Sequence, residues 1–213
     1  MQSINKLQER MKKIIRRLRK AYPEAACSLQ FENPHQLLVA TILSTQCTDK
    51  RVNQVTPKLF KKYPTVKDFA LSDVSELAHD ILSCGYHNQK ARAIKGSSLV
   101  IWEAYGGDVP RTLEKLVKLP GVGRKTANCI LGTAYGIPAM VIDTHMIRIM
   151  NLLGFVTSRN PVHIELEIMS ITPQKDWIDL THLIIEHGRK ICIARRPQCG
   201  YCILHDLCPA VQL

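Results

Sequence analysis

Apolar residues recur every three or four positions along most of this 213-residue chain, and nowhere does the period-2 alternation of a half-buried strand persist. The pattern predicts an all-α protein, helix after helix. Its punctuation agrees with that reading. Asn33-Pro34 offers an N-cap and a first-turn proline ahead of Leu37, Leu38 and Ile42, and Asp73 with Glu76 reads as a capping box ahead of Leu77 and Ile81. Gly85, Gly106-Gly107, Gly136-Ile137-Pro138 and Asn160-Pro161 stand where helices should end. Pro57 sits inside the pattern of residues 51–63, so that helix is expected to kink there or to start late. At the N-terminus Ile4, Leu7, Met11, Ile14, Ile15 and Leu18 follow helical spacing among Lys6, Arg10, Lys12, Lys13, Arg16, Arg17, Arg19 and Lys20, which makes an amphipathic helix. With 46% hydrophobic residues the chain can bury a substantial core, and its length suits one large domain or two small ones. Composition shifts most clearly at Pro138, after which the chain runs toward a cysteine-rich end.

The segment Leu119-Pro120-Gly121-Val122-Gly123-Arg124-Lys125-Thr126 joins two of these helical patterns. Leu113, Leu116 and Val117 mark the helix before it, closed by Pro120; Thr126 to Tyr135, with Ile130, Leu131 and Ala134 on one face, marks the helix after it. Gly121 and Gly123 permit positive φ and remove the Cβ atoms that would hold a phosphate away from main-chain N–H groups, while the following helix start adds partial positive charge. An ordinary helix-helix corner uses the same residues. Charge favours the phosphate: 29 Lys+Arg against 18 Asp+Glu leave +11, spread along the chain rather than gathered in a tail, so a folded basic face that binds nucleic acid is expected ahead of membrane binding. No apolar run approaches the roughly 18 residues of a membrane span and no secretory signal is present, which predicts a soluble intracellular protein. Glu9 and the single Ser3 argue against a basic mitochondrial presequence.

The eight cysteines divide unevenly. Cys27, Cys47, Cys84 and Cys129 lie scattered among apolar residues and read as small core groups. Cys192, Cys199, Cys202 and Cys208 crowd together with CX6CX2CX5C spacing. Thiols this close in a chain without a secretion signal point to one metal centre. Only one pair has the tight spacing of a zinc knuckle, so the wider gaps favour an iron-sulfur cubane, with zinc and disulfides as the alternatives.

Taken in order, the hairpin LPGVGRKTAN, the VIDTH around Asp143 and the terminal cysteine array resemble the endonuclease III family of the helix-hairpin-helix superfamily, DNA glycosylases and apurinic/apyrimidinic lyases. The resemblance runs from about Leu7 to Cys208 and includes LSTQCTD at Leu43 to Asp49, HNQKA at His87 to Ala91 and HGRKICIARRPQCGYC at His187 to Cys202. It implies two helical domains flanking a DNA-binding cleft: a six-helix domain over 30–137, with its helix-hairpin-helix at about 111–135, and an iron-sulfur domain from 1–29 plus 138–213. It implies a [4Fe-4S] cluster on Cys192, Cys199, Cys202 and Cys208, and base excision repair of oxidised or damaged pyrimidines in double-stranded DNA.

By the same resemblance Lys125 is the nucleophile and Asp143 the catalytic carboxylate. A neutral amine can attack C1′, expel the base and form a Schiff base whose electron demand makes a 2′ proton removable, so the strand breaks by β-elimination. The site must supply that neutral amine through burial or through neighbouring cations such as Arg124. Asp143 would stabilise positive charge on the sugar and help move protons; alone, it reads as an N-cap for the helix through Met146 and Ile149. Gly121, Val122, Gly123 and Arg124 would hold the strand, His145 would lie near the DNA backbone or pack locally, and Arg195 and Arg196, in a loop held by the cluster, would meet phosphate with Arg189 and Lys190 nearby. Because a base in a duplex is out of reach, the nucleotide must be flipped and its gap filled. Gln46 matches the polar residue that enters the duplex, and Tyr86 stands where bacterial relatives often carry a leucine wedge, which is the main departure from the family pattern. The protein is expected to act as a cytoplasmic monomer, associated with the nucleoid when bound to DNA. Three other readings are a monofunctional adenine or mismatch-thymine glycosylase, which generally lacks the lysine at 125 and, for adenine enzymes, carries a further C-terminal domain; a non-catalytic iron-sulfur DNA-binding module or redox sensor; and a zinc-held DNA-binding protein.

Overall fold

The computed structural model describes residues 3–211, which form eleven α-helices and four short 3-10 turns with no strand among them. The chain divides into two compact units, Ser28–Ile137 and the combination of Met1–Cys27 with Pro138–Leu213. No helix of the described residues is long and apolar enough to cross a membrane.

The Ser28–Ile137 unit contains α2 (Pro34–Leu43), α3 (Asp49–Lys62), α4 (Val66–Leu71), α5 (Val74–Asp80), α6 (His87–Tyr105), α7 (Leu113–Leu116) and α8 (Arg124–Tyr135). Six of these are longer than one turn; α7 is a single turn of four residues. Asn33 caps α2 by accepting from the Gln36 N–H at 2.9 Å, with Pro34 in the first turn as its sequence predicts. Every residue from His35 to Leu43 is buried. A helix apolar on all sides must be surrounded, and α3, α6 and α8 surround it. Phe69 of α4, 1% exposed, packs its ring against His35 and Tyr63 at centroid separations of 5.3 and 5.1 Å.

Local features depart from the sequence pattern where side chains have competing partners. The helix containing Pro57 starts early, at Asp49, capped by the Thr48 hydroxyl, and runs on past the exposed proline to Lys62. Asp73 caps α5 through Ser75 and Glu76 N–H groups, but the Glu76 carboxylate pairs with Lys62 Nζ at 2.8 Å, and the reciprocal box forms instead between Thr65 and Asp68. The helix before the glycine turn ends at Leu116, four residues short of Pro120; Leu119 is buried beyond it, while Val117 is 42% exposed.

The second unit contains α1 (Ile4–Ala21), α9 (Thr144–Leu152), α10 (Pro161–Ile171) and α11 (Trp177–Lys190). Met11, Ile14, Ile15 and Leu18 of α1 are at most 2% exposed and share one core with Met146, Ile149 and Met150, with Ile164, Ile168 and Ile171, and with Leu180, Leu183, Ile184 and Leu204. Three arginines of the basic N-terminal helix hold later parts of this unit. Arg10 donates to the Leu153 carbonyl at 2.6 Å and lies over the Phe155 ring, Arg17 pairs with Asp206, and Arg19 reaches Asp176 and Asp179 at 2.7 and 2.6 Å. The expected basic face therefore spends part of its charge within the fold.

Burial pushes the His35 imidazole down to about 4, and its Nε2 meets Ser98 Oγ at 2.8 Å, so the ring is neutral at physiological pH. A folded-state value below the unfolded one contributes stability above about pH 6.5 that is lost as pH falls toward 4, up to about 3 kcal/mol for this shift. In urea denaturation across that window, His35→Gln is expected to remove this part of the acid sensitivity while retaining an amide to meet Ser98. An unchanged pH slope in the variant would show that His35 carries none of it.

Candidate functional site

Two small residues of α6 seat the glycine turn. Gly121 has φ +73°, and a Cβ there would stand 2.5 Å from the Ala93 Cβ; a Cβ on Gly96 would meet Pro120 at 3.2 Å. Both torsion and close approach therefore require glycine at 121. Gly123 is different: its φ is −90°, and a Cβ would find nothing within 4 Å. The expected positive φ occurs at Gly121 alone, because Gly123 is already the extended N-cap of α8. Val122 is 6% exposed and its N–H donates to the Leu119 carbonyl at 3.1 Å, so its side chain belongs to the core. Arg124 and Lys125 are exposed in the first turn of α8, whose N-terminus has no side-chain cap. The open helix start directs partial positive charge at whatever lies beyond it. Ala93 and Gly96 were not singled out from sequence; their three-residue spacing on a helix was the available signal.

In the same unit Gln46 and Tyr86 are the two non-glycine residues with positive φ among the described residues, at +51° and +48°. Both are exposed, Tyr86 by 58%. Left-handed backbone is disfavoured for residues with a Cβ and persists only where surrounding contacts impose it. Tyr86 follows Gly85 and directly precedes α6, so its ring stands at the head of a helix.

Asp143 lies in the other unit and caps α9: its Oδ1 accepts from the Met146 N–H at 2.8 Å. The capping role read from sequence is present, and it fixes a half-buried carboxylate in one orientation. His145 is also half-buried in that first turn, where a Cβ on Gly188 of α11 would collide with its Nδ1. Its position is set by helix packing.

Cys192, Cys199, Cys202 and Cys208 line one cavity of about 80 Å³ together with Ile149, Leu153 and His187. None of the eight cysteines is in a disulfide; of the four scattered ones only Cys84 is fully buried, so Cys27, Cys47 and Cys129 are less core-like than expected. Burial pushes the Cys192 and Cys202 thiols up, opposed at Cys192 by the Arg148 guanidinium and at Cys202 by the Leu204 N–H, 3.4 Å from its sulfur. Around them, Arg148 donates to the Cys192 carbonyl at 2.5 Å, and His187, 1% exposed, places Nε2 3.5 Å from Cys202 Sγ and Nδ1 2.9 Å from Tyr22 Oη. Neither Arg148 nor Tyr22 was identified from sequence, because their proximity is a product of helix packing. No three His, Cys, Asp or Glu side chains among the described residues converge as a single-ion site. The loop from Cys192 to Cys199 closes on itself, with the Gln198 N–H donating to the Ile191 carbonyl at 3.0 Å, and presents Arg195 and Arg196 to solvent.

The two hairpin glycines should respond oppositely to one methyl group. Gly121→Ala is expected to cost about 1–3 kcal/mol in chemical denaturation, from backbone strain and overpacking against Ala93. Gly123→Ala should leave stability within about 1 kcal/mol and yet weaken phosphate-backbone binding, measured by titration with duplex DNA. Equal stability losses at both positions would contradict this division.

Residues 39–174 match the family model described as HhH-GPD superfamily base excision DNA repair protein. The chain is 47% identical over 205 residues to endonuclease III of Synechocystis sp., covering 96% of this chain and 94% of that protein. Among solved structures it resembles a non-covalent endonuclease III-DNA complex, with TM-score 0.91, 40% identity and coverage of 99% and 97% of the two chains. A trapped endonuclease III-DNA covalent intermediate gives TM-score 0.92, 39% identity and the same coverage. Helical architecture, hairpin and relatives thus agree, and the chain belongs to the endonuclease III family of DNA glycosylases and abasic-site lyases, within the HhH-GPD superfamily of base excision DNA repair proteins.

Proposed function

We propose that this enzyme removes oxidised or damaged pyrimidines from double-stranded DNA and cleaves the resulting abasic site by β-elimination, with Lys125 as nucleophile. The observation that carries the reading is an exposed lysine in the uncapped first turn of α8, directly after the Gly121–Gly123 backbone. A strand held by main-chain N–H groups at that turn brings its sugar to the amine. The Lys125 nitrogen bonds to C1′ as the glycosidic bond breaks and the base leaves with its electron pair, taking up a proton. Loss of a proton from nitrogen and opening of the sugar give the Schiff base. Removal of a 2′ proton then expels the 3′ phosphate, and water later releases the lysine. The relative trapped as a covalent DNA intermediate supports such an adduct in the family.

Asp143 is the proposed carboxylate for the charge that develops on the sugar and for proton movement to and from the amine. Its cap bond to Met146 uses Oδ1, so Oδ2 serves this role without loss of the cap. Gln46 and Tyr86 are proposed to enter the duplex and fill the space of the flipped nucleotide, an aromatic ring being able to stack as well as wedge. Gly121, Val122 and Gly123 contribute main chain and Arg124 charge at the hairpin; Arg195 and Arg196 provide a second phosphate contact from their closed loop. His145 is proposed to remain a packed neighbour of the DNA backbone rather than a proton carrier.

The four cysteines fit a [4Fe-4S] cluster. They line a common cavity without converging as a single-ion site among the described residues, and four thiol donors around one space suit the corners of a cubane. Such a group, when bound, cross-links the last segment of the unit; hydrolytic and lyase steps need no electron transfer from it. Arg148 and His187 would orient Cys192 and Cys202 around it. Iron and inorganic sulfide in equal amounts are the expected analytical result, and stoichiometric zinc would replace this assignment. The protein is proposed to act as a cytoplasmic monomer.

Borohydride reduction with duplex DNA carrying an oxidised pyrimidine or an abasic site should give a covalent adduct that Lys125→Gln abolishes. Asp143→Asn is expected to cut turnover by about 10²–10⁴ with unchanged stability, because asparagine caps a helix as well as aspartate. Failure of the native enzyme to trap or nick abasic DNA would overturn the lyase mechanism and leave a monofunctional glycosylase.

A further inference from the structure

Lys90, in the first turn of α6, is 4% exposed, and a lysine this deep must satisfy its ammonium within the protein. Nζ donates at 2.8 Å to the carbonyl of Leu43 and at 2.8 Å to the carbonyl of Cys84. These carbonyls belong to two segments far apart in sequence. Leu43 is the last residue of α2, three residues before Gln46; Cys84 ends a 3-10 turn two residues before Tyr86. The Lys90 main-chain N–H additionally donates to the Tyr86 carbonyl at 3.0 Å. One residue thus binds the approach to both left-handed positions.

We infer that Lys90 is a positioning residue, a strap that holds the Gln46 and Tyr86 loops in register so that both side chains enter the duplex together. This deepens the proposed function and rests on its assignment of Gln46 and Tyr86 as the residues that fill the flipped-base gap. Both loops use backbone that residues with a Cβ avoid, so each relaxes to commoner torsions unless held. The α2 C-terminal carbonyl and the 3-10 carbonyl are end groups without a helical successor, which makes them natural acceptors for a cation. The thiols of Cys47 and Cys84 are the titratable groups facing the ammonium. A neutral side chain of the same length leaves two buried carbonyls unsatisfied and removes the only link that joins both loops through one atom among the hydrogen bonds described above.

Abasic sites in duplex and in single-stranded DNA separate positioning from folding, since a single strand has no stack to enter. Lys90→Met is expected to lower duplex cleavage by about tenfold to a hundredfold while single-strand cleavage changes little, the range typical of a misplacement of about 1 Å. Fluorescence from 2-aminopurine placed opposite the abasic site should lose its rise on binding, and chemical denaturation should remain cooperative. A Gln46→Ala/Tyr86→Ala double variant should lose the same duplex preference, and adding Lys90→Met to it should cost little more. If Lys90→Met does not fold, Lys90→Gln keeps N–H donors on an arm too short to reach both carbonyls, and the same loss of duplex preference is expected. Equal loss on both substrates, or full additivity with the double variant, would overturn the strap. Full duplex preference in the double variant would overturn the insertion reading and the strap with it, whereas preference lost there and kept in Lys90→Met overturns the strap alone.

Discussion

The hairpin depends on a steric fit: the turn at Pro120 and Gly121 rests on Ala93 and Gly96 of α6, with no room for a Cβ at 121. This contact fixes the direction in which α8 starts and hence where its uncapped N-terminus points. It also explains why the preceding helix is only one turn long. Leu116 and Leu119 are both buried, and a continuous helix would place them on one face without leaving the chain free to turn onto α6. Phosphate affinity at such a site comes from rigid main-chain donors, so it is created by the packing beneath the turn rather than by the turn's own side chains.

Within each unit, cations that look available in the sequence are already committed. Arg10, Arg17 and Arg19 tie the N-terminal helix to carbonyl and carboxylate groups of later residues, and Arg148 spends a donor on the Cys192 carbonyl. Lys62 is shared between Glu76 and Asp80. Arg124, Lys125, Arg195 and Arg196 are exposed, at a helix start and on a closed loop. Net charge therefore predicts the kind of partner better than it predicts which residues meet it.

What could be read from the sequence was local. Asn33-Pro34, the amphipathic N-terminal helix and the glycine turn each follow from neighbours within one or two helical turns, and all appear where expected. Asp143 could be recognised as a cap because a cap bond spans three residues. The structure departs from the pattern where a competing neighbour, near or remote in sequence, decides the outcome. Glu76 abandons its box for Lys62, Val117 gives up burial to Leu119, and Gly123 needs no positive φ once Gly121 has made the turn. Ala93, Gly96, Arg148 and Tyr22 act through residues remote in sequence, where periodicity carries no signal. The family resemblance supplied functional roles that neither charge nor spacing could have assigned to Lys125 or Gln46.

The shared core of α1 with α9, α10 and α11 also constrains the order in which the molecule can be made. Met11, Ile14, Ile15 and Leu18 are synthesised more than a hundred residues ahead of their core partners, from Met140 to Leu204. The intervening residues, Ser28–Ile137, form a unit of their own and can fold while synthesis continues. Until then α1 is an unshielded amphipathic helix whose closure spans almost the whole polypeptide. The cysteine segment adds Leu204 to that closure, so the loop that carries the last thiols is seated on a core that α1 helps to build.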